Sequence, residues 1–160
     1  MDRLWSPWRY QYVSQVGKDD PCIFCEALGR NQDRETFILF RGQHNFIILN
    51  RYPYTTGHVM IAPYDHVADL AQARPEVLAE MMALCQRVER ALAAVYKPEG
   101  YNLGMNLGRC AGAGVLRHLH MHLLPRWSGD TSFMTTVGET RLEPEELALT
   151  YDKLKPFFEK

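Results

Sequence analysis

The chain has 160 residues, 46% of them hydrophobic, and its 18 basic and 19 acidic residues give a formal net charge of -1. This length is enough for one domain with a real core and hardly enough for two. Because the charges are spread along the chain without a block of one sign, the composition does not favour duplex nucleic acid or a membrane surface as the main partner.

The N-terminal residues and the hydropathy pattern predict a cytosolic protein. No segment reaches the roughly 18 consecutive apolar residues that a membrane-spanning helix needs. The opening MDRLWSPWRYQY carries charges and aromatic rings and lacks the apolar stretch of a signal peptide. Residues 1–20 have no clear period and are predicted to form an extended arm that packs across the body or a partner subunit. The following DPCIFCEALGR predicts a tight turn and one helical turn.

Five strands and two helices are predicted after this turn. The runs TFILFR, NFIILN and GHVMIAP, joined by short turns, indicate an antiparallel meander. PEVLAEMMALCQRVERALAAVY has apolar residues at intervals of three and four, which predicts a helix whose buried face includes Met81, Met82 and Cys85. YNLGMNLG and LHMHLLP supply two more strands on either side of the loop RCAGAG, and EPEELALTYDKLKPFF predicts a C-terminal helix. This order predicts an α+β domain with a mainly antiparallel five-stranded sheet.

The segment RHLHMHLLPRW places His118, His120 and His122 at every second position. Alternate side chains of a strand share one face, so the three imidazoles lie together and the apolar residues between them point into the core. Neighbouring same-face residues are about 6.7 Å apart and the outer pair about 13 Å apart, which makes one metal ion held by all three histidines strained. A division of labour among the histidines fits this geometry better.

The four cysteines do not form a disulfide framework, and two of them form a CxxC pair. Cys22 and Cys25 supply half of a tetrahedral zinc site, whose remaining ligands have to come from elsewhere. The redox alternative needs CxxC at the start of a helix in a thioredoxin-like βαβ unit, which this context does not offer. Candidate partners are His66, which is well placed to fold back, one histidine of the segment above, and His44 or His58. Cys85 and Cys110 are predicted to be small packed side chains.

Several motifs together resemble the histidine triad family. HLHMHLL matches the motif His-x-His-x-His followed by two apolar residues, and NRYPYTTGHVMIAP is similar to the nucleotide-pocket hairpin of this family. CIFC, MNLG and LPRW occupy the expected places, so the resemblance covers roughly residues 20 to 128. LWSPWR and PRWSGDTSF resemble the branch of bacterial diadenosine tetraphosphate phosphorylases and hydrolases. The implied organisation is an arm (1–20), a histidine triad domain (21–128) and a C-terminal extension with a helix on the same domain (129–160).

The resemblance implies a homodimer that binds an adenine nucleotide or dinucleoside polyphosphate in each subunit. The middle histidine, His120, would attack the α-phosphorus to form a nucleotidyl-histidine, which water or phosphate then releases. His122 would bind phosphate oxygens and assist the leaving group. Zinc-containing relatives imply a structural zinc ion with four protein ligands, here Cys22, Cys25, His66 and His118. No organic cofactor is expected.

The same resemblance implies further nucleotide-binding residues, each with a simpler alternative. Asn50 matches a residue that binds the ribose hydroxyls, although an Asn before RYP equally suits a turn. Asn106 matches a residue that contacts the phosphate, and Arg126 is either an outer-phosphate ligand or a solvated surface residue. The base pocket would be walled by Phe24, Phe46, Ile48 and His58, although core packing explains the first three almost as well.

One departure from the family pattern leaves the leaving group and the acceptor open. Many members carry Gln followed by Ser or Thr before the triad, whereas this chain has AGAGVLR. The backbone amides of Gly112, Ala113 and Gly114 could form an anion-binding nest there, and Ser128 or a following Thr could substitute for the missing side chain. Two further hypotheses are a non-catalytic nucleotide-binding module and a hydrolase with an open catalytic zinc.

Overall fold

The computed structural model describes residues 21–131, 135 and 145–159, and its centre is a five-stranded sheet. All neighbouring strands are antiparallel, in the order β1-β2-β3-β5-β4. The strands are β1 (Ile38–Arg41), β2 (Asn45–Leu49), β3 (Val59–Pro63), β4 (Gly100–Gly104) and β5 (Met121–Arg126). The helices are α1 (Ile23–Gly29), α2 (Asp33–Thr36), α3 (Pro75–Tyr96) and α4 (Leu147–Leu154), with 3₁₀ segments at Arg109–Ala111 and Lys155–Phe158. The predicted α+β class and five-stranded sheet are confirmed.

The long helix α3 covers one face of the sheet and forms the main core with it. Its buried residues recur at three and four, which places them on one stripe against the strands: Val77, Met81, Leu84, Cys85, Val88, Ala91 and Leu92. The prediction that Met82 is buried is wrong, because position 82 lies outside this stripe and its side chain is 52% exposed. Tyr151 and Leu154 of α4 join the same core, as expected for a C-terminal helix on the domain.

The opposite face of the sheet carries a second, smaller cluster built around α1. Phe24 and Ala27 of α1 pack on Phe46, Ile48 and Met60 of the strands. The register aligns Ile48 with Met60, Met60 with His122, and His122 with Gly104. Because α1 covers only part of this face, the second cluster borders a cleft, whereas the α3 side is a closed core.

Several predicted boundaries differ from the observed ones. The helix at CIFCEALG has seven residues, so it is two turns long, and β5 begins at Met121, after His118 and His120. The reason is that β3 ends at Pro63, which has no N–H to extend the ladder, and the Leu119 N–H donates to Val67 O at 2.6 Å.

The predicted N-terminal arm and residues 143–144 of the predicted C-terminal helix lie outside the described residues. Cys85 is buried as expected, but Cys110 is exposed, because the 3₁₀ turn that carries it lies at the surface. Among the helices that are described, none has the length and apolar character to cross a membrane.

Candidate functional site

The three histidines of the triad segment lie at and just before the start of β5, on the face that carries α1. His118 and His120 are 1% and 5% exposed, and the aromatic ring of Phe24 lies 5.1 Å from each of their rings. The His120 and His122 ring centroids are 4.8 Å apart. The histidines therefore share one face, as the alternation predicts, but each has its own set of neighbours.

The backbone fixes which nitrogen of His120 is free. Its Nδ1 lies 2.8 Å from the carbonyl oxygen of His118, so Nδ1 must carry the proton and donate it. Nε2 of the neutral ring is then an unprotonated nucleophile. Burial lowers the pKa of His120 by more than this backbone hydrogen bond raises it. The lowered pKa keeps the ring neutral near pH 7.

A second chain of hydrogen bonds fixes the tautomer of His122 through His58. The Tyr54 N–H (3.1 Å) and the Asn50 Nδ2 amide (3.3 Å) both reach Nδ1 of His58, which must therefore be an acceptor. The proton of His58 then sits on Nε2 and is donated to Nδ1 of His122 at 2.9 Å. It follows that the proton of neutral His122 is on Nε2, the nitrogen that can donate to a phosphate oxygen.

Burial is the main cause of the low pKa of both rings in this pair. It lowers the pKa of His58 to about 3, with additional repulsion from His122 and His120. Burial and repulsion from His120 lower the pKa of His122 to about 4. The prediction that His58 walls the base pocket is corrected, because its side chain is 1% exposed and supports His122 from the loop that follows β2.

The two cysteines of the CxxC pair lie close to two histidines, His66 and His118. The ligand atoms of Cys22, Cys25, His66 and His118 all lie within 4.8 Å of one another. His118 Nε2 donates to Pro63 O at 2.8 Å, which leaves Nδ1 unprotonated and 3.3 Å from the Cys22 sulfur. His66 Nδ1 is 3.3 Å from the Cys25 sulfur, and burial is the main cause that raises the pKa of this thiol.

This donor set is suited to a closed tetrahedral Zn²⁺ site, because two thiolates and two neutral imidazoles are the ligands of structural zinc. The geometry agrees with the predicted ligand set. The alternatives His44 and His58 do not join it. His44 lies in the turn before β2, where its backbone N–H donates to Glu80, and His58 contacts His122.

A cleft of about 190 Å³ lies between α1 and the ends of β2 and β3. Phe24, Ile48 and Asn50, which are predicted to bind the nucleotide, line this cleft together with Met60. Phe46 is fully buried behind the cleft and packs edge-on against Phe24. The turn interpretation of Asn50 has direct support, because its Oδ1 accepts a hydrogen bond from the Tyr52 N–H at 3.0 Å.

The predicted anion nest is corrected in part. The N–H of Gly112 donates to Arg109 O at 3.0 Å and that of Ala113 to Gly108 O at 3.4 Å. These two amides close the loop and do not point to a ligand, so only the Gly114 amide remains a candidate. Asn106 lies two residues beyond Gly104, the register partner of His122.

The polar residues after β5 are engaged with one another. The Arg126 guanidinium pairs with Asp130 and donates to Asn102 Oδ1 at 2.6 Å, which makes it a structural residue of the surface. Ser128 donates from its hydroxyl and backbone N–H to Glu99. The Ser128 hydroxyl thus already donates to Glu99, which argues against the prediction that Ser128 replaces the side chain missing from the family motif.

Two residues of the site were missed at the level of sequence. The Tyr54 ring stacks on His122 with centroids 6.0 Å apart, and Met60 joins the cleft. The alternation of His58, Met60 and Ala62 in GHVMIAP could have placed Met60 on the functional face. The position of Tyr54 depends on the irregular loop at residues 51–56, for which no periodic signal exists.

Comparisons with known proteins agree with this geometry. The family model of the HIT domain matches residues 31–129. An AP-4-A phosphorylase of Mycobacterium tuberculosis is 37% identical over 154 residues, which are 92% of this chain and 79% of the relative. A Zn-bound histidine triad family protein from Mycobacterium smegmatis superposes with a TM-score of 0.68 at 29% identity, covering 85% of this chain and 91% of that one. A hypothetical histidine triad nucleotide-binding protein from Sulfolobus tokodaii gives 0.69 at 28%, with the same coverage. The chain therefore belongs to the HIT family, whose name denotes the histidine triad.

Proposed function

We propose that this chain is an enzyme that cleaves dinucleoside polyphosphates or nucleoside phosphoramidates at the α-phosphate through a nucleotidyl-His120 intermediate. The single observation that carries the proposal is the unprotonated Nε2 of His120 beside a proton-donating Nε2 of His122. The 37% identity to an AP-4-A phosphorylase supports an adenine nucleotide as the substrate. The proposal includes a homodimer in the cytoplasm, as expected from the sequence.

In the first step, Nε2 of His120 attacks the α-phosphorus and a phosphorus–nitrogen bond forms. The bond to the leaving group breaks, at an oxygen in a dinucleoside polyphosphate and at a nitrogen in a phosphoramidate. A neutral imidazole is suited to this attack, and a phosphoramidate divides one slow displacement into two easier ones. The positive charge that develops on His120 is stabilised at Nδ1 by the His118 carbonyl oxygen. His122 donates from Nε2 to a phosphate oxygen and stabilises the charge of the leaving group.

In the second step, water or inorganic phosphate attacks the same phosphorus and the phosphorus–nitrogen bond breaks. His120 returns to its neutral form and the nucleotide leaves with the new oxygen. Water as acceptor makes the chain a hydrolase, and phosphate makes it a phosphorylase of the ATP adenylyltransferase type. The named relative favours phosphate as the acceptor, which is the second candidate function.

The remaining assignments give each predicted residue a role. Phe24 and Ile48 hold the base in the cleft, Asn50 binds the ribose, and Asn106 and the Gly114 amide contact the phosphates. A structural Zn²⁺ would be held by Cys22, Cys25, His66 and His118, where it supplies a tetrahedral cross-link between α1 and the segment before β5. His120 is oriented by the backbone carbonyl of His118, which is itself one of the four proposed ligands, so such an ion would also steady the segment that positions the nucleophile.

The test is turnover of diadenosine tetraphosphate and of adenosine phosphoramidate, each with and without inorganic phosphate, followed by product analysis. Water as acceptor gives AMP and ATP from diadenosine tetraphosphate, whereas phosphate gives ADP and ATP. His120→Asn should lower kcat by at least about a thousandfold. His44→Asn is the matched control, because His44 lies outside the site. An acid-labile adenylate on His120 should be found by mass spectrometry of the quenched reaction.

Full turnover by the His120→Asn enzyme would refute the covalent mechanism. Nucleotide binding by the parent chain without cleavage of either substrate would favour the non-catalytic binding module instead.

A further inference from the structure

Cys22 and Cys25 are a pair of thiols that neither chemical step of the proposed reaction uses. Cys22 is the residue directly before α1, and Cys25 is the third residue of that helix. The Glu26 N–H donates to Cys22 O at 2.9 Å, which closes the first turn and keeps both cysteines on it. The pair thus opens a helix, as redox CxxC motifs do, although no βαβ unit surrounds it in the described part of the chain.

The two sulfur atoms are close enough to be joined by rotation of the cysteine side chains. They lie within 4.8 Å of each other. A hydrogen bond joins them and, after burial, is a further cause that raises the pKa of the Cys25 thiol. The sulfurs of a disulfide are about 2.05 Å apart, so the gap has to close by less than about 3 Å. The bond can therefore form without unfolding of α1.

An oxidant can reach this pair from solvent. Cys25 is exposed and Cys22 is half-buried, whereas Cys85 is buried in the main core. A solvent-accessible thiol beside a second thiol forms a disulfide when a peroxide oxidises the first one. A metal ion held by the pair would keep both sulfurs as thiolates, which is the form that peroxides oxidise.

A disulfide at this pair and a bound metal ion exclude each other. In the proposed metal site the Cys22 sulfur lies 3.3 Å from His118 Nδ1, and the Cys25 sulfur lies 3.3 Å from His66 Nδ1. Once the two sulfurs are bonded to each other, neither is a thiolate, and only the two imidazoles remain of the four ligands. Two neutral imidazoles do not complete the tetrahedral set of a structural zinc ion.

We propose that Cys22 and Cys25 form a peroxide-sensitive site, at which a reversible disulfide replaces the metal ion. One sulfur attacks an oxygen of hydrogen peroxide, the O–O bond breaks, and a sulfenic acid and one water molecule form. The second sulfur attacks the first, the S–O bond breaks, and a second water molecule leaves as the S–S bond forms. The two sulfurs lose two electrons, which the two peroxide oxygens accept, and the two thiol protons leave in the water.

The consequence for the nucleotide cleft is transmitted by the segment between the two cysteines and by His118. Phe24 lines the cleft, and its ring lies 5.1 Å from the rings of His118 and His120. The His118 carbonyl oxygen orients His120. Loss of the ion unties α1 from this segment, so oxidation should weaken nucleotide binding. This consequence, unlike the disulfide itself, rests on the proposed function.

The experiment treats the zinc-loaded protein with hydrogen peroxide and follows the cysteines, the metal and Tm together. Trypsin cleaves after Lys18 and Arg30, so one peptide contains both Cys22 and Cys25, while Cys110 falls in another peptide. The first peptide should lose the mass of two hydrogen atoms, and a chromogenic chelator should detect one released Zn²⁺ per disulfide. Tm should fall by at least about 5 °C, and the dissociation constant of AMP should rise at least about fivefold.

The controls separate the pair from other thiols. Dithiothreitol followed by Zn²⁺ should reverse every change. Cys110→Ser, which removes an exposed cysteine outside the pair, should respond to peroxide as the parent protein does. Cys25→Ser should give no disulfide in the peptide that contains Cys22.

Each outcome bears on a separate part of the proposal. Peroxide treatment that leaves both thiols free, or oxidises them to sulfinic acids, would refute the disulfide. Zinc retained by the disulfide form would refute the exclusion, and a reduced protein that binds no Zn²⁺ would refute the exclusion together with the metal site. Unchanged AMP affinity after oxidation would refute only the consequence for the cleft. Turnover by the reduced protein tests the proposed function independently of all these measurements.

Discussion

His58 offers the sharpest test of the site, because it acts on catalysis only through His122. We expect His58→Leu to lower kcat/KM and His58→Gln to retain much more activity. Leucine removes both the acceptor for the Tyr54 N–H and the donor to Nδ1 of His122. A glutamine side chain offers an amide oxygen and an amide N–H at its end, so it can replace both functions.

The magnitude follows from the burial of this hydrogen bond. His122 accepts from His58 at 2.9 Å, and a buried acceptor without its donor costs about 1–3 kcal/mol. Without that donor, nothing favours the tautomer of His122 that carries its proton on Nε2. A loss of this size in the transition state corresponds to a decrease in kcat/KM of roughly fivefold to 150-fold.

The assay is steady-state turnover of a cleaved substrate over a range of pH, with urea unfolding of the three proteins as a check on stability. The expected decrease is in kcat, with little change in KM, since His58 does not line the cleft beside α1 in which we propose that the nucleoside binds. Equal activity of His58→Leu and the parent enzyme would refute the tautomer argument. Equal losses in the Leu and Gln variants would show that the ring is needed for packing and not for its hydrogen bonds.

Three further predictions concern stability. Removal of zinc by a chelator should lower Tm by at least about 5 °C before turnover of the folded fraction is lost. Cys25→Ser should lower Tm in the same way, whereas the control Cys110→Ser should not. Loss of turnover at constant Tm would instead indicate an open catalytic metal. The free energy of unfolding should fall as the pH drops from about 6.5 towards 4. The pKa values of about 3 for His58 and about 4 for His122 keep both rings neutral in the folded chain over this range. The unfolded chain takes up protons at the same two histidines, so a lower pH favours unfolding. Urea unfolding at several pH values measures this, and a flat pH profile over that range would contradict it. Glu80→Ala should lower the free energy of unfolding in urea by about 2–3 kcal/mol, because the carboxylate accepts from the Gln43 and His44 N–H groups and the Asn45 amide. The control Glu76→Ala, at an exposed position, should lower it by less than about 1 kcal/mol. Similar losses of stability in the two variants would refute the structural role of Glu80.

The sequence predicts the parts of this molecule that depend on periodicity and on local motifs. The strand alternation around His120 and the helical stripe at Met81 and Cys85 have simple periods, and the fold follows from them. Met82 shows the limit, because its neighbours in sequence are apolar while the helical angle turns it to solvent. The different neighbours of His118, which lies beside Cys22, and His122, which lies beside His58, are also consistent with the spacing.

The tautomers and the role of His58 could not be predicted in this way. They depend on backbone groups that the loop at residues 51–56 brings to the histidines, and such loops have no periodic pattern. The Gly112 and Ala113 amides illustrate the same point. Glycine content correctly indicates a tight loop, but only the closed loop decides that its own carbonyls use those N–H groups.

The short helix α1 has a consequence for how two ligands interact. It begins directly after Cys22 and carries Cys25, the two thiols of the proposed metal site, and it also supplies Phe24 and Ala27 to the cleft beside it. Seven residues are too few to form a stable helix alone, so its position depends on what holds it. An ion held by these thiols would fix the helix and would favour nucleotide binding in the cleft, and linkage would then require that nucleotide tighten the binding of the ion by the same factor. The position of one seven-residue helix would then depend on the concentrations of both the metal ion and the nucleotide.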